Sequence, residues 1–384
     1  MPTNYKVSSI IFLAILLLRP LYSVSQINHS FSPGEIWKDD QGTHINAHGG
    51  GFIFAQGKYY WFGEHKITGD AGNVAHVGVH CYSSSDLYNW KDEGIALSVV
   101  KNDDNSPIAE GCILERPKVV FNKKTGKYVM WFHLELKGQG YSAAQTGVAV
   151  SDKVTGPYTF LRAERANIKT WPLNMTEEYK KLTIQENDLK SWTDEWKSAI
   201  KEGLFVRRDF EKGQMARDMT LFVDDDGKAY HIHSSEENGT LHISELSDDY
   251  TSFTGKYIRV FTARFNESPA IFKQNGKYYM ITSDCTGWKP NAARLASSTS
   301  IFGTWKELGN LCLGADSALT FHSQSTYILP IHGKKNQFIF IADRWAPENA
   351  IDGRYLFLPI TFNENGNPTL KWLDKWDLTF FSEK

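Results

Sequence analysis

The stretch AIFKQNGKYYMITS at residues 270–283 decides the fold, because an apolar strand runs into a tight Gly-Lys turn and an aromatic strand follows it. β-branched and aromatic residues around a glycine-bearing turn are typical of a β-hairpin. The pattern returns four more times, as FIFAQGKYYWFGE (52–64), KVVFNKKTGKYVMWFH (118–133), MTLFVDDDGKAYHIHSS (219–235) and YILPIHGKKNQFIFIADR (327–344). Five copies of one hairpin indicate a repeat architecture.

A second strand pair follows each hairpin, for example RLASSTSIFGTWKELG at 294–309 and YLFLPITFNENGNPTLKW at 355–372. Two hairpins per unit make a four-stranded blade, so the sequence predicts an all-β fold, a five-bladed β-propeller. The longest gap lies between the second and third hairpins, and residues 176–203 within it have helical propensity and spacing. We therefore expect a helical insertion between blades 2 and 3, near the functional face.

The composition narrows the class of function. The chain has 384 residues, of which 41% are hydrophobic, 22% charged and 14% aromatic, as in a folded globular protein. A formal net charge of −2 gives no basic surface for a phosphate backbone, which argues against nucleic-acid binding. The surplus of tryptophan and tyrosine suits stacking on flat ligands such as sugar rings, although a β-rich core uses these residues too.

The N-terminus has the pattern of an export signal. Lys6 precedes an unbroken apolar run at residues 10–18, and small residues follow at Ser23 and Ser25. This run corresponds to about 14 Å of helix, too short for a bilayer core of roughly 30 Å. We expect a signal peptide at residues 1–25, a propeller domain at residues 30–384, and an exported, periplasmic or extracellular monomer without membrane insertion.

Equivalent positions on the first strand of each hairpin should form a ring, because the innermost strands of a propeller converge on its central channel. Close carboxylates raise each other's pKa, which makes one of them a general acid near neutral pH. Glycoside hydrolysis needs such an acid and a second group that activates water. The alternative is that these acids pair with neighbouring arginines. Counting back nine residues from the turn glycine, or eleven where the turn is longer, gives His48, Glu115, Asp218, Glu267 and Gln324.

Other motifs favour no different chemistry. HGGG at 48–51 resembles the oxyanion-hole turn of esterases, but the chain has no G-x-S-x-G nucleophile elbow. The glycines would instead let a sugar approach the strand backbone closely. The histidine pairs lie in predicted strands or loops, and DDDG at 224–227 lacks the twelfth-position Glu of a calcium loop. We predict no metal and no cofactor, and the four cysteines leave three pairings open.

These motifs resemble glycoside hydrolase family 43 along nearly the whole mature chain. The resemblance is carried by the five-bladed layout, by Glu267 in NESPAIFKQNGKYYMITS and by Asp218 in ARDMTLFVDDDGKAY. It implies that Glu267 is the general acid and that Asp218 tunes its pKa and orients it. The usual first-blade aspartate, the general base, is missing, because INAHGGG places His48 there as a substrate contact.

The exo-β-1,3-galactanase branch of the family is similar in lacking that aspartate. The resemblance implies that Gln324 handles the water through its imidic acid tautomer and that Glu115 is an active-site carboxylate. Because an amide is a weak base, Glu115 remains a candidate for activating the water alongside Gln324. The resemblance also implies contacts to the terminal galactose from Glu64, Tyr141 and Thr286. Apart from the resemblance, Trp288 is a candidate stacking platform, with packing in the core as the alternative. The motifs are INAHGGG (45–51), YYWFGE (59–64), LERPKV (114–119), RDMTLF (217–222), CTGW (285–288) and SQST (323–326).

The predicted function is an inverting, exo-acting glycoside hydrolase that releases galactose from the non-reducing end of β-1,3-galactan, the arabinogalactan backbone. Its partner would be a polysaccharide or oligosaccharide substrate. One alternative is another specificity of the family, α-L-arabinofuranosidase or β-xylosidase, against which the missing aspartate argues. The other is a non-catalytic carbohydrate-binding propeller.

Overall fold

The computed structural model describes Met1 and residues 27–382, so the predicted signal peptide, apart from Met1, lies outside the described residues. The described residues form an all-β propeller built from six sheets. The first two sheets each have four antiparallel strands in chain order. They are β1 (His48–Ala55), β2 (Lys58–His65), β3 (Gly78–Ser84) and β4 (Lys91–Ser98), then β5 (Ile113–Asn122), β6 (Lys127–Glu135), β7 (Gln145–Ser151) and β8 (Thr159–Glu164).

Three short helices follow the second sheet: α1 (Glu177–Lys180), α2 (Asp194–Lys201) and α3 (Leu204–Arg208). Thr193 caps α2 by accepting a hydrogen bond from the backbone N–H of Trp196. Trp196 and Ile200 are buried on the inner face of α2, and the left-handed Gly203 separates α2 from α3. Among the described residues, no helix is long and apolar enough to cross a membrane.

The third and fourth sheets repeat the simple four-stranded order of the first two. They are β9 (Met219–Val223), β10 (Ala229–Ser235), β11 (Thr240–Leu246) and β12 (Phe253–Val260), then β13 (Asn266–Gln274), β14 (Lys277–Asp284), β15 (Arg294–Ser298) and β16 (Lys306–Gly309).

The C-terminal part of the described chain forms two three-stranded sheets. The strand β17 (Cys312–Leu313) precedes the fifth sheet but belongs to the sixth. The fifth sheet contains β18 (Gln324–Pro330), β19 (Phe338–Arg344) and β20 (Arg354–Pro359). In the sixth sheet, β17 pairs in parallel with the last strand, and the strands of its antiparallel hairpin are β21 (Thr361–Phe362) and β22 (Pro368–Lys371).

The prediction of a five-bladed propeller with a helical insertion is therefore wrong. Counted by its sheets, the propeller has six blades, four of four strands and two of three. The error lies in residues 355–372, which were assigned to one strand pair. β20 ends at Pro359, β21 pairs with β22, and β22 pairs in turn with β17. Residues 176–203 are not one helical unit either, because they contain α1, a 3-10 turn and α2, and α3 begins beyond them.

The five predicted hairpins are confirmed, each as an antiparallel strand pair. Their first strands, β1, β5, β9, β13 and β18, contact one another in turn and so surround the centre of the propeller. Apolar side chains fill the spaces between the sheets. Trp61 and Trp131 are among them, and are 1% and 0% exposed. The four cysteines are free thiols.

Candidate active site

A β-bulge lies beside the predicted ring position on four of the inner strands. The pairing register shifts directly after that position on β1, β5 and β13, and one residue further along on β18. The next residue on the first three strands is left-handed, with φ of 60° at Gly49, 54° at Arg116 and 54° at Ser268. Bulges bend a strand and re-aim its side chains, often beside active sites. Glu115 and Glu267, which precede two of these bulges, accordingly line one pocket.

This pocket has a volume of about 290 Å³ and lies where the inner strands begin. That volume is near the lower end of ordinary ligand pockets, roughly 300–1,000 Å³, and suits one sugar residue rather than a length of polymer. Seven of the predicted site residues line it, namely Glu64, Glu115, Tyr141, Asp218, Glu267, Trp288 and Gln324. The other lining residues are Lys66, Arg116, His133, Arg217, Asn238, Gly287 and Trp345.

His48 and Thr286, two predicted substrate contacts, lie outside the lining of this pocket. His48 is fully buried, with its ring centroid 5.3 Å from that of Tyr355, and burial lowers its pKa well below the usual value. The hydroxyl of Thr286 is engaged within its own loop, where it donates to the carbonyl oxygen of Lys289. The count from the turn glycine located His48 at the start of its strand but not the direction of its side chain.

Glu267 and Asp218 lie side by side in the pocket. Burial raises the pKa of Glu267, and the charge of Asp218 adds to this effect, so that the pKa reaches about 7 although Arg116 opposes the shift. The carboxylate of Asp218 is fixed through both oxygens. Ser268 donates to its Oδ2 from the backbone N–H at 3.1 Å and from the hydroxyl at 2.9 Å, and Nε of Arg116 lies 3.0 Å from its Oδ1. A carboxyl that keeps its proton near neutral pH beside a fixed carboxylate is equipped for general acid catalysis.

Glu115 has the opposite environment in the same pocket. Nδ1 of His133 lies 3.0 Å from its Oε2, and the hydroxyl of Tyr141 donates to its Oε1 at 2.8 Å. Burial by itself would raise the pKa of Glu115, but the hydrogen bond and the charge of His133 outweigh burial and lower the pKa to about 2. Burial would lower the pKa of His133, but its contacts with Glu115 and Glu135, both at 3.0 Å, raise it to about 9. Glu115 is therefore ionised at neutral pH against an imidazolium.

The side-chain amide of Gln324 has a fixed orientation. Its Oε1 accepts hydrogen bonds from Nη2 of Arg116 at 2.6 Å and from Nε1 of Trp345 at 3.2 Å. Guanidinium and indole N–H groups can only donate, so this oxygen is an acceptor, and Nε2 donates to the hydroxyl of Ser283 at 2.9 Å. These contacts are those of an ordinary amide, which can orient a water but not deprotonate it.

Arg116 connects the members of the site. It is buried, its backbone N–H donates to Oε1 of Glu64 at 2.9 Å, and its guanidinium contacts both Asp218 and Gln324. Glu64 also forms an ion pair with Lys66 at 2.7 Å. Burial raises the pKa of Glu64, and the charge of Lys66 opposes this rise in part. The pairing of an acid with a neighbouring arginine, considered above as an alternative, thus occurs at Asp218, and Arg116 also binds Gln324.

The glycines of HGGG are required by close protein packing. A Cβ on Gly49 would lie 2.2 Å from Oε1 of Glu64, and a Cβ on Gly50 would lie 2.2 Å from the carbonyl oxygen of Phe62. Neither glycine lines the pocket. We expected these glycines to admit a sugar. In the structure they instead allow strands of the protein itself to pack closely.

Sequence reasoning missed several residues of the pocket. His133 could have been found, because it lies directly opposite Glu115 in the pairing of β5 with β6, and a count across the hairpin reaches it. Asn238 and Trp345 come from connections outside the strands. The repeat pattern carries no signal for residues in such connections, so only the folded chain brings them to the pocket.

One group of described residues could hold a metal ion by geometry alone. The ligand atoms of Glu115, His133 and Asp218 lie within 4.8 Å of one another. Both ring nitrogens of His133, however, already contact carboxylates. Burial would lower the pKa of His133, but these contacts outweigh burial and raise it to about 9. A protonated imidazole has no lone pair for a metal. These residues do not fit a metal ion, and we assign no catalytic step to one.

A propeller pocket with one carboxyl protonated and another ionised near neutral pH has the two groups of a class of protein, the glycoside hydrolases. The sequence profile of Glycosyl hydrolases family 43 matches residues 182–315. Among solved structures, a GH43 β-1,3-galactosidase with galactodeoxynojirimycin shares 56% identity with this chain, covering 91% of it and 100% of that chain, with a TM-score of 0.88. The protein therefore belongs to glycoside hydrolase family 43.

Two further solved structures are similar over most of this chain. The exo-β-1,3-galactanase of Clostridium thermocellum shares 32% identity, covering 90% of this chain and 66% of that one, with a TM-score of 0.72. The enzyme of the same activity from Phanerochaete chrysosporium, with β-1,3-galactotriose, shares 29% identity over 91% of this chain and 68% of that one, with a TM-score of 0.73. A comparison with curated proteins gives no match.

Proposed function

We propose that the protein is an inverting, exo-acting hydrolase that releases galactose from the non-reducing end of β-1,3-galactan, the backbone of arabinogalactan. The observation that carries this proposal is one small pocket in which Glu267 keeps a proton near neutral pH while Glu115 does not. The similarity to a β-1,3-galactosidase and to exo-β-1,3-galactanases supports the choice of sugar and linkage.

Glu267 is the proposed general acid. Its proton passes to the glycosidic oxygen as the bond from that oxygen to the anomeric carbon breaks, and the shortened galactan leaves as a neutral alcohol. Asp218 is the group whose charge adds to the effect of burial on the pKa of Glu267. Ser268 and Arg116 hold Asp218 in place, so that its charge stays beside the acid.

The water that attacks the anomeric carbon would be oriented by Gln324. Glu115 is the proposed proton acceptor, because it is ionised, whereas Oε1 of Gln324 already accepts two obligate donors. A carboxylate with a pKa of about 2 is a weak base for resting water. The water becomes far more acidic as it bonds to the oxocarbenium-like carbon, which makes the transfer feasible late in the step.

The remaining predicted contacts that line the pocket serve recognition in this proposal. Tyr141 and Glu64 offer hydrogen-bonding groups to the terminal galactose. Trp288 is 48% exposed, and its ring centroid lies 5.9 Å from that of Trp345. This exposed indole face suits stacking on a sugar ring.

We also propose that the protein is exported and acts as a monomer. Lys6, the apolar run at 10–18 and the small residues Ser23 and Ser25 support export. N-terminal sequencing of the exported protein should then find Gln26 as the first residue, and a retained N-terminus would contradict the proposal.

The test of the activity is product release from debranched β-1,3-galactan, with an arabinan and a xylan as controls. Galactose should appear from the galactan alone, one residue at a time from the start of the reaction. Proton NMR of the first turnovers should show α-galactose, because inversion of a β-linkage gives the α-anomer. Release from the arabinan or the xylan instead would overturn the substrate, and β-galactose as the first product would overturn inversion.

A further inference from the structure

Asn238 lies beside Glu267 and touches one of its two oxygens. Its side chain lines the same pocket, and its Nδ2 donates to Oε1 of Glu267 at 2.8 Å. In an asparagine amide the nitrogen can only donate and the oxygen can only accept. If a second contact fixes the orientation of the amide, the contact with Glu267 shows that Oε1 of Glu267 is an acceptor.

Arg217 settles that orientation. Its Nη1 lies 3.4 Å from Oδ1 of Asn238, and a guanidinium can only donate, so Oδ1 faces Arg217 and Nδ2 faces Glu267. Arg217 is itself held in place. Its Nη2 contacts Oε2 of Glu237 at 3.1 Å and donates to the backbone carbonyl oxygen of Tyr141 at 2.7 Å.

The connection between β10 and β11 that carries Asn238 is held in an unusual backbone conformation. Glu236, Glu237 and Asn238 are all left-handed, with φ of 54°, 55° and 61°. Such conformations persist in non-glycine residues when the surroundings enforce them. Here the buried Glu236 binds Arg259 through both oxygens, at 2.6 and 2.7 Å, and accepts from His242 at 2.9 Å if Nε2 carries the proton.

The helices hold the same connection from its other side. Arg259 donates to the carbonyl oxygen of Lys201, the last residue of α2, at 3.0 Å. Arg208, the last residue of α3, contacts Oε1 of Glu237 at 2.9 Å. The helical segment therefore supports the connection that places Asn238 against the acid in two ways. Arg208 forms an ion pair with Glu237, and the carbonyl oxygen of Lys201 accepts from Arg259, which in turn binds Glu236.

We propose that Asn238 is a positioning residue that decides which oxygen of Glu267 carries the catalytic proton. Oε1 already accepts the N–H of Asn238, and in a protonated carboxyl the carbonyl oxygen is the better acceptor. The proton therefore resides on Oε2, and Glu267 presents one defined O–H to the glycosidic oxygen. This inference rests on the proposed role of Glu267 as the general acid.

The test is the substitution Asn238→Gly, assayed on β-1,3-galactobiose across pH. Glycine accepts left-handed backbone without strain, so the connection should keep its shape. We expect kcat to fall about ten- to hundredfold with KM nearly unchanged. Asn238 would no longer donate to the carboxylate that forms as Glu267 gives up its proton, and a hydrogen bond to a charged group is worth about that range. The alkaline limb of kcat/KM should move to higher pH, because a carboxyl that loses a donor to its ionised form holds its proton more tightly. The other groups that act on Glu267 are unchanged in this variant, namely Asp218, Arg116, the thiol of Cys285 and Glu115.

Asn102→Gly is the matched control. Asn102 is also left-handed, with φ of 64°, but it is exposed and away from the pocket, so this variant should behave as wild type. Asn238→Asp keeps the shape of the side chain but removes the donor, and it should lose activity and shift the limb in the same direction. A wild-type rate and pH profile in both Asn238 variants would overturn the proposal. Full activity in Glu267→Gln would instead overturn the general acid, which separates the two failures.

Discussion

Glu267 and Glu115 are two partly buried carboxyls of one pocket whose pKa values move in opposite directions. Burial and the charge of Asp218 raise the pKa of Glu267 to about 7. The hydrogen bond and charge of His133 overcome the effect of burial and lower the pKa of Glu115 to about 2. Because burial acts alike on both, the neighbouring charge decides the outcome. One pocket can thus hold an acid and an ionised carboxylate at the same pH.

The largest effect should come from Glu267→Gln, which removes the proposed proton donor from one side of this comparison. Galactose release should fall about 10²- to 10⁴-fold, the usual contribution of a general acid, while binding of the substrate persists because the amide is nearly isosteric. Wild-type activity should decline as the pH rises through about 7, since Glu267 must be protonated to act. The residual activity of the variant should lack this alkaline decline, and retention of the decline would assign it to another group.

A smaller but still substantial effect should come from His133→Gln, which removes the cation from the other side. Glu115 and Glu135 would then be buried without their counter-charge, so urea unfolding at pH 7 should show a loss of about 3–5 kcal/mol. The pKa of His133 is about 9 in the folded protein, above about 6.5 in the unfolded chain. Its stabilising contribution is thus fully present below pH 6.5 and lost as the pH rises through 9.

The difference in stability between wild type and His133→Gln should accordingly shrink above pH 9. The exposed His29 offers a control in His29→Gln, which should match wild type. A loss of stability that is the same at pH 7 and pH 10 would mean that His133 contributes by packing and not by charge.

The smallest effect should come from Tyr141→Phe, which removes only the hydroxyl that donates to Oε1 of Glu115 at 2.8 Å. The loss of one such hydrogen bond is worth about 0.5–1.5 kcal/mol, so kcat/KM should fall roughly two- to tenfold. The acidic limb of the pH profile should move upward, because the charged form of Glu115 loses a donor. An acidic limb that moves further in this variant than in His133→Gln would reverse the relative weight of the two partners.

Much of the site was predictable because equivalent positions in the repeated hairpins can be found by counting back from the turn glycine. Each hairpin has a recognisable turn glycine. A count of nine residues back from it, or eleven where the turn is longer, reaches Glu115, Asp218, Glu267 and Gln324 on separate strands. All four line the pocket. This count does not locate side chains where the backbone departs from regular strand pairing. At His48 it finds the strand but not the direction of the side chain, and at Thr286 the residue lies in a loop whose own hydrogen bonds engage its hydroxyl.

The number of sheets was not predictable from the hairpin repeat. The stretch 355–372 has the residue types of a strand pair, yet it contributes β20 to one sheet and the hairpin of β21 and β22 to another. Residue type indicates that a segment is extended, but the identity of its hydrogen-bonding partner depends on chain that lies far away in sequence. β22 pairs with β17 across more than fifty residues.

Local order along the chain is sufficient to predict five hairpins, the residues that begin their inner strands and the acidic character of the place where they meet. These features depend on turns and alternation over a few residues, which any reader of the sequence can count. The protonation state of each carboxyl depends on folding, because it is set by contacts between distant segments. His133 beside Glu115, Arg116 between Asp218 and Gln324, and Asn238 against Glu267 exist only in the folded propeller. Charges act over a few ångströms of space, whatever the separation along the sequence. The tertiary structure therefore decides which carboxyl of the pocket holds a proton.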